Sequence, residues 1–155
     1  AGAGPRHMVF HPTQPFSYIL NELTNTLTAT KMQKNGQLTP LQSMNTLPDD
    51  FTGHSQAGHI AISADGKYIY TSNRGHDSIA VFSVASDGKL ARIQTISTQG
   101  QWPRFFMLLA DGKSLLVANQ ESNNIVALAI GQDGKLSDTG NTLSISKPVY
   151  LTVVK

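Results

Sequence analysis

The chain has 155 residues, of which 39% are hydrophobic and only 14% are charged, and its formal net charge at pH 7 is +2. This length is typical of a single domain. The absence of cysteine excludes disulfides, thiolate metal ligands and cysteine nucleophiles. The small and scattered excess of lysine and arginine argues against a nucleic-acid-binding protein, and no apolar run is long enough for a membrane-spanning helix. These features predict a soluble, cytoplasmic protein with no nucleic-acid and no membrane partner.

In chain order, short runs of β-branched and aromatic residues alternate with turns throughout the sequence. The first run opens at Arg6, and the second ends at Asn21 and Glu22. The clearest later runs lie at 60–62, 68–72, 79–84 and 90–96. Asp-Gly or Asn-Gly pairs occupy several of the gaps, which is typical of β-hairpins. No apolar period of 3.6 residues persists long enough for a helix, so the sequence predicts an all-β protein.

The strand-sized runs belong to an internal repeat. Asn21, Asn73 and Asn119 are spaced by 52 and 46 residues, and a leucine falls 17 residues after each of them. Four short antiparallel strands in a repeat of this length are typical of a β-propeller blade. The sequence therefore predicts a β-propeller with blades at about 5–56, 57–102 and 103–147, followed by a ring-closing strand at 148–155.

Three blades do not close a ring, since ordinary propellers have about four to eight. An incomplete ring leaves sheet edges and faces exposed. We therefore expect the C-terminal part of a longer propeller, whose open edges are covered by missing N-terminal blades or by another chain.

Blade topology places the polar candidates on one face. Because successive strands run antiparallel, the start of each first strand lies on the same face as the turn between the second and third strands. The residues predicted at this face include the candidates Arg6, His7, Glu22, His59 and Arg104, and also Arg74, His76 and Glu121. The mouth of a propeller channel is a usual binding site, by analogy between folds. The Asp-Gly turns fall on the opposite face and are predicted to be structural.

The stretches GPRHMVFHP at 4–12, NEL at 21–23 and QWPR at 101–104 carry a family resemblance. They resemble the signature of the seven-bladed β-propeller lactonases, the 6-phosphogluconolactonase family, which is also similar to carboxymuconate-lactonizing enzymes. The resemblance covers essentially the whole chain. It implies hydrolysis of a sugar-acid lactone, foremost 6-phosphogluconolactone in the pentose phosphate pathway, and no motif demands a metal or a cofactor.

Carried over residue by residue, the resemblance implies a site that contains Arg6, Glu22 and Arg104. Glu22 is a candidate general base, with its pKa raised if the site is dry. Arg6 and Arg104 offer donors to a phosphate, a carboxylate or an oxyanion. We therefore predict Glu22, Arg6 and His7 as catalytic residues, and Arg104 and His59 as substrate-binding residues. A functional histidine that the family carries in an earlier blade has no counterpart here.

Plainer interpretations stand beside these. Arg6 and Arg104 could tie neighbouring blades together, and Glu22 could be a solvated carboxylate on a turn. Trp102 could wall a substrate pocket or fill a gap between blades. His59 and the nearby His54 lack a third ligand at a convincing spacing, so no metal site is predicted.

Other polar residues also have structural interpretations. The recurrent asparagines are predicted to form turns. Chance exposure explains Arg74, His76 and Glu121 as well as any function does. At the level of the whole protein, the alternatives are a non-catalytic propeller that serves as a binding or scaffold module, and an enzyme of the same fold acting on a carboxymuconate-type lactone.

Overall fold

Residues 2–154, which the computed structural model describes, form twelve β-strands and no helix, so this part of the chain contains no helix that could cross a membrane. The strands are β1 (Pro5–Phe10), β2 (Phe16–Asn21), β3 (Thr26–Met32), β4 (Leu38–Asn45), β5 (Gln56–Ile62), β6 (Tyr68–Arg74), β7 (Ser78–Val84), β8 (Leu90–Ser97), β9 (Pro103–Leu108), β10 (Ser114–Asn119), β11 (Asn124–Ile130) and β12 (Leu136–Ser144).

The strands form three antiparallel sheets, each of four strands in sequence order. We call them blade 1 (β1–β4), blade 2 (β5–β8) and blade 3 (β9–β12). The first strands of neighbouring blades contact one another, β1 with β5 and β5 with β9, so they form the inner edge of the array. The predicted all-β propeller architecture is confirmed. The predicted closing strand stays a prediction, because residues 145–154 pair with none of the twelve strands and have no strand assignment.

The hairpin turns on the face opposite Arg6 and Glu22, which we call the outer face, repeat one geometry. In the turn at Asp87 and Gly88, Gly88 has a φ of 82°, its N–H donates to the Ala85 carbonyl at 2.9 Å, and the Asp87 carboxylate accepts from the backbone N–H of Lys89 at 3.1 Å. A left-handed backbone of this kind favours glycine because a side chain would clash. Equivalent turns with a positive-φ glycine occur at Gly36, Gly66, Gly112 and Gly134. The Asp-Gly pairs are therefore structural, as predicted.

The core lies between the blades, in two layers that β7 of blade 2 separates. Ala80 and Phe82 point into the layer shared with blade 1, whereas Ile79 and Val81 point into the layer shared with blade 3. This alternation follows from the two-residue period of a strand. All four side chains are fully buried, and burial contributes about 1.5–3 kcal/mol for a side chain of the size of Ile79, Val81 or Phe82.

Two of the three recurrent asparagines join blades, whereas Asn21 donates to two threonines of its own blade. The Asn73 amide donates to the Thr46 carbonyl at 3.0 Å, and the Thr46 hydroxyl donates to Asn73 Oδ1 at 2.7 Å. One blade later, the Asn119 amide donates to the Thr98 carbonyl at 3.0 Å. Thr46 and Thr98 each follow the outermost strand of the preceding blade. These asparagines therefore do more than form their own turns, because they fix the angle between successive blades.

Candidate functional site

Three predicted site residues lie where the pairing between a first and a second strand is interrupted. Arg6, His59 and Arg104 have no partner in the strand ladder, although pairing resumes on both sides of each interruption, which in blade 2 also includes Gly58. Such bulges re-aim side chains and are common beside active sites. The interruptions recur at one repeat position, which is occupied by Arg6 in blade 1, by Gly58 next to His59 in blade 2 and by Arg104 in blade 3.

The bulges open onto a shared cavity of about 510 Å³. Four of the five predicted residues line it, namely Arg6, His7, His59 and Arg104. A groove of similar volume, about 520 Å³, lies on the opposite face between blades 2 and 3. Asp65 is the only charged residue in that groove, and it already bonds to Ser63 and Lys67. The first cavity is therefore the candidate functional site.

Glu22, the fifth predicted residue, stands between two guanidinium groups. Its Oε1 accepts a hydrogen bond from Arg74 Nη2 at 2.5 Å, and its Oε2 lies 3.7 Å from Arg6 Nε. The hydrogen bond from Arg74 lowers the pKa of Glu22, and the charges of Arg74, Arg6 and Arg104 add to this effect against the opposing effect of burial. The predicted raised pKa is wrong, because the carboxylate lies among cations rather than in an apolar pocket.

Arg74 is the residue of this site that we did not predict. Its side chain is only 5% exposed, so chance exposure does not explain it. Besides Glu22 it binds the Ala57 carbonyl, to which Nη2 donates at 2.9 Å. The repeat did indicate that Arg74 is equivalent to Glu22. Glu22, Arg74 and Gln120 each directly follow a recurrent asparagine. The repeat thus places Arg74 one blade away from Glu22 at the same position.

The two histidines of the cavity form a pair that stays neutral at pH 7. His7 and His59 approach through their Nδ1 atoms at 3.2 Å, and the His59 ring packs between Phe105 and Phe106. Burial, with smaller effects from His7 and Arg6, lowers the pKa of His59 to about 3. Burial also lowers the pKa of His7, with help from the charge of Arg6. Neutral imidazoles can exchange protons or hydrogen-bond with a substrate, but they add no positive charge.

The two predicted arginines, Arg6 and Arg104, differ in whether their guanidinium groups already have bonding partners. Arg6 joins blades 1 and 2, since its Nη1 donates to the Gly58 carbonyl and also contacts the His7 ring. It therefore performs the tying role that was the plainer interpretation, and it faces the cavity as well. Arg104 has no ion-pair partner among residues 2–154. Its guanidinium is available to an anionic ligand.

The remaining polar residues of this face do not join the cluster. His76 bonds to the Ser78 hydroxyl at 2.7 Å and makes an edge-to-face contact with Phe51, and Glu121 is exposed. His54 is also exposed, away from His59. Within residues 2–154, no three potential ligands are grouped closely enough to hold a metal ion.

Comparison with known proteins identifies the family. Residues 1–153 match the family model "Lactonase, 7-bladed beta-propeller". The chain is similar to the 6-phosphogluconolactonase of Bacillus subtilis, with 44% identity over 108 residues that cover 68% of this chain and 31% of that protein. It also resembles the solved structure of a periplasmic gluconolactonase from Pseudomonas aeruginosa, with a TM-score of 0.93, 32% identity, and coverage of 97% of this chain and 42% of that chain.

A solved structure of a protein from Lactobacillus plantarum gives a TM-score of 0.92 at 37% identity and covers 96% of this chain and 44% of that chain. The chain therefore spans about a third of the curated relatives it matches and less than half of these structures, in keeping with three blades of seven. The chain belongs to the seven-bladed β-propeller lactonase family, of whose propeller it comprises a part.

Proposed function

We propose that the complete protein carrying these residues hydrolyses an anionic sugar-acid lactone, with 6-phosphogluconolactone as the first candidate. The observation that carries the proposal is one ionised carboxylate, Glu22, held between Arg6 and Arg74 beside a cavity in which Arg104 is unpaired. Three guanidinium groups around one carboxylate leave an excess of positive charge. A phosphate or carboxylate on the substrate would balance that excess.

In the proposed reaction, a water molecule attacks the lactone carbonyl carbon while Glu22 accepts its proton. The negative charge that develops on the carbonyl oxygen would be stabilised by an arginine. Collapse of this intermediate breaks the bond between the carbonyl carbon and the ring oxygen, which takes up a proton and leaves an open-chain acid. The lowered pKa keeps Glu22 ionised at neutral pH, so the carboxylate is free of a proton, although its basicity is lower than that of an ordinary glutamate.

The neutral histidines suit a supporting role in this reaction. His7 lines the cavity and is exposed, so it could hand the proton from Glu22 to the ring oxygen or orient the attacking water. His59 is more buried and packs on aromatic rings, which suits contact with an uncharged part of the substrate.

A non-catalytic role is the rival, and one observation favours it. Both Arg6 and Arg74 cross the interface between blades 1 and 2, so the ion pairs of Glu22 also act as a structural tie. A scaffold would need these ties but no reactive carboxylate. The rival therefore predicts that a neutral amide in place of Glu22 is tolerated.

The deciding experiment compares Glu22→Gln with the wild type in the complete protein. Hydrolysis of 6-phosphogluconolactone and of unphosphorylated gluconolactone is measured after subtraction of the spontaneous rate. Loss of a general base lowers turnover by roughly 10²–10⁴-fold, and we expect a loss in this range. Glu121→Gln, which changes an exposed carboxylate on the same face, is the matched control and should leave turnover unchanged. Undiminished turnover in Glu22→Gln would remove Glu22 from the mechanism.

A further inference from the structure

Trp102 has a backbone conformation that is unusual for a large residue. Its φ is 61°, in the left-handed region, where bulky side chains are rare outliers. The equivalent residue before the first strand of blade 1 is Gly4, which has a φ of 65° and no such strain. Strained residues persist where the surrounding structure holds them, and they cluster at functional sites. The connection of two blades therefore does not by itself explain why a tryptophan occupies this strained position.

Asp77 holds the backbone of Trp102 in this conformation. Its Oδ1 accepts hydrogen bonds from the N–H of Trp102 at 2.8 Å and from the N–H of Gly75 at 3.0 Å. On the other side, the Trp102 carbonyl accepts from the N–H of Gln120 at 3.1 Å. The strained residue is thus fastened to blade 2 through Asp77 and to blade 3 through Gln120.

The indole ring of Trp102 lies against the guanidinium of Arg74. The distance from Arg74 Cζ to the centre of the Trp102 ring is 5.5 Å, within the range of a cation–π interaction. The edge of the same guanidinium bonds to Glu22 and to the Ala57 carbonyl. The buried Nε of Arg74 has no hydrogen-bond partner, so the Trp102 ring adds a contact that limits rotation of this group about its Nη2 hydrogen bonds.

We propose that Trp102 is a positioning residue, which fixes the Arg74 guanidinium and through it the Glu22 carboxylate, with Asp77 fastening Trp102. This inference rests on the proposed lactonase function for its kinetic consequences only. Trp102 does not line the 510 Å³ cavity, which separates this role from that of a substrate wall. The left-handed backbone of Trp102 and the contact of its ring with Arg74 of blade 2 occur together in this structure.

The test compares Trp102→Leu with Trp102→Phe in the complete protein. Leucine keeps apolar bulk but has no π face, whereas phenylalanine restores one. We expect Trp102→Leu to lower kcat by roughly tenfold to a hundredfold, since a misplaced group costs up to about 10² in rate, with KM unchanged. The acid limb of the pH–rate profile should move to higher pH, because Glu22 is then less firmly bonded to Arg74. Trp102→Phe should recover most of kcat and the wild-type acid limb.

A second measurement keeps this inference separable from the proposed function. The carboxyl carbon of Glu22, labelled with ¹³C and assigned with Glu22→Gln, is titrated by NMR in wild type and in Trp102→Leu. A rise in the Glu22 pKa in the variant supports positioning even if no lactone is turned over. Phe51→Leu, an aromatic substitution on the same face away from Glu22, is the matched control and should leave that titration unchanged.

Two outcomes would overturn the inference. In a folded Trp102→Leu protein, a wild-type Glu22 titration would show that the ring does not hold Arg74 in place. A raised KM with unchanged kcat and an unchanged titration would instead make Trp102 part of the substrate pocket.

Discussion

The two faces of the blades differ in how closely the three repeats agree. On the outer face, the turns at Gly66, Gly88, Gly112 and Gly134 use the same Asp-Gly pair and the same hydrogen bonds. On the channel face, equivalent positions carry different chemistry, since Glu22 in blade 1 is matched by Arg74 in blade 2 and Gln120 in blade 3.

The two faces differ because backbone geometry constrains the turns, whereas chemical complementarity constrains the channel face. A hairpin turn has one set of backbone angles to satisfy, so blades 2 and 3 use the same Asp-Gly pair in both of their outer-face turns, and blade 1 uses the similar pair Asn35-Gly36 in one of its two turns. A binding site needs complementary groups, so the blades must diverge. One blade supplies the carboxylate and the next supplies the cation that pairs with it.

Among variants that compare the two faces, the largest loss of activity should come from removing the cation that pairs with Glu22. Arg74→Met removes the hydrogen bond to Glu22, and a hydrogen bond to a charged group is worth about 1.5–3 kcal/mol. At 1.4 kcal/mol for each factor of ten, we expect kcat/KM for 6-phosphogluconolactone to fall by roughly tenfold to a hundredfold. Gln120→Met changes the equivalent position of blade 3 and should have little effect. Equal losses in the two variants would contradict the proposed division between blades.

The outer face is probed by a matched pair of glycines. Gly88→Ala adds a methyl group that would overlap the Phe16 ring, whereas Gly112→Ala meets open space. Both substitutions strain a left-handed backbone by about 1–2 kcal/mol, and overpacking adds about 1–3 kcal/mol at Gly88. Denaturant unfolding should therefore show a larger loss for Gly88→Ala, by about 1–3 kcal/mol. Equal losses would mean that the turn alone, without its packing on blade 1, sets the requirement.

A smaller effect should appear in the pH dependence of stability. The pKa of His59 is about 3 in the folded protein and near 6.5 in the unfolded chain. The unfolded state therefore binds more protons below pH 6.5, so stability present at pH 7 is lost progressively as the pH falls toward 3. The expected loss between pH 7 and pH 5 is roughly 1–2 kcal/mol.

His59→Phe, which places there the residue found at the equivalent Phe105, should remove this part of the pH dependence. The measurement is the free energy of unfolding of wild type and variant at both pH values. Parallel pH dependence in the two proteins would show that His59 is protonated as readily in the folded state as in the unfolded chain.

The site was predictable in part. The repeat and the antiparallel order of strands were enough to bring Arg6 and Glu22 to one face, and the structure puts them 3.7 Å apart. Arg74 was within reach of the same reasoning, since it occupies the repeat position of Glu22. It was missed because a surface turn is the usual place for an arginine, and burial cannot be read from a polar stretch.

The sequence by itself determined the strands, the turns, the propeller architecture and the face that bears the site. These follow from local rules, namely the two-residue period of a strand, the backbone freedom of glycine and a repeat of fixed length. Only the tertiary structure decided which arginine bonds to Glu22, the direction of its pKa shift and the neutrality of His59. Those properties depend on contacts across the interface between blades, where residues 52 positions apart meet in an environment that no local pattern describes.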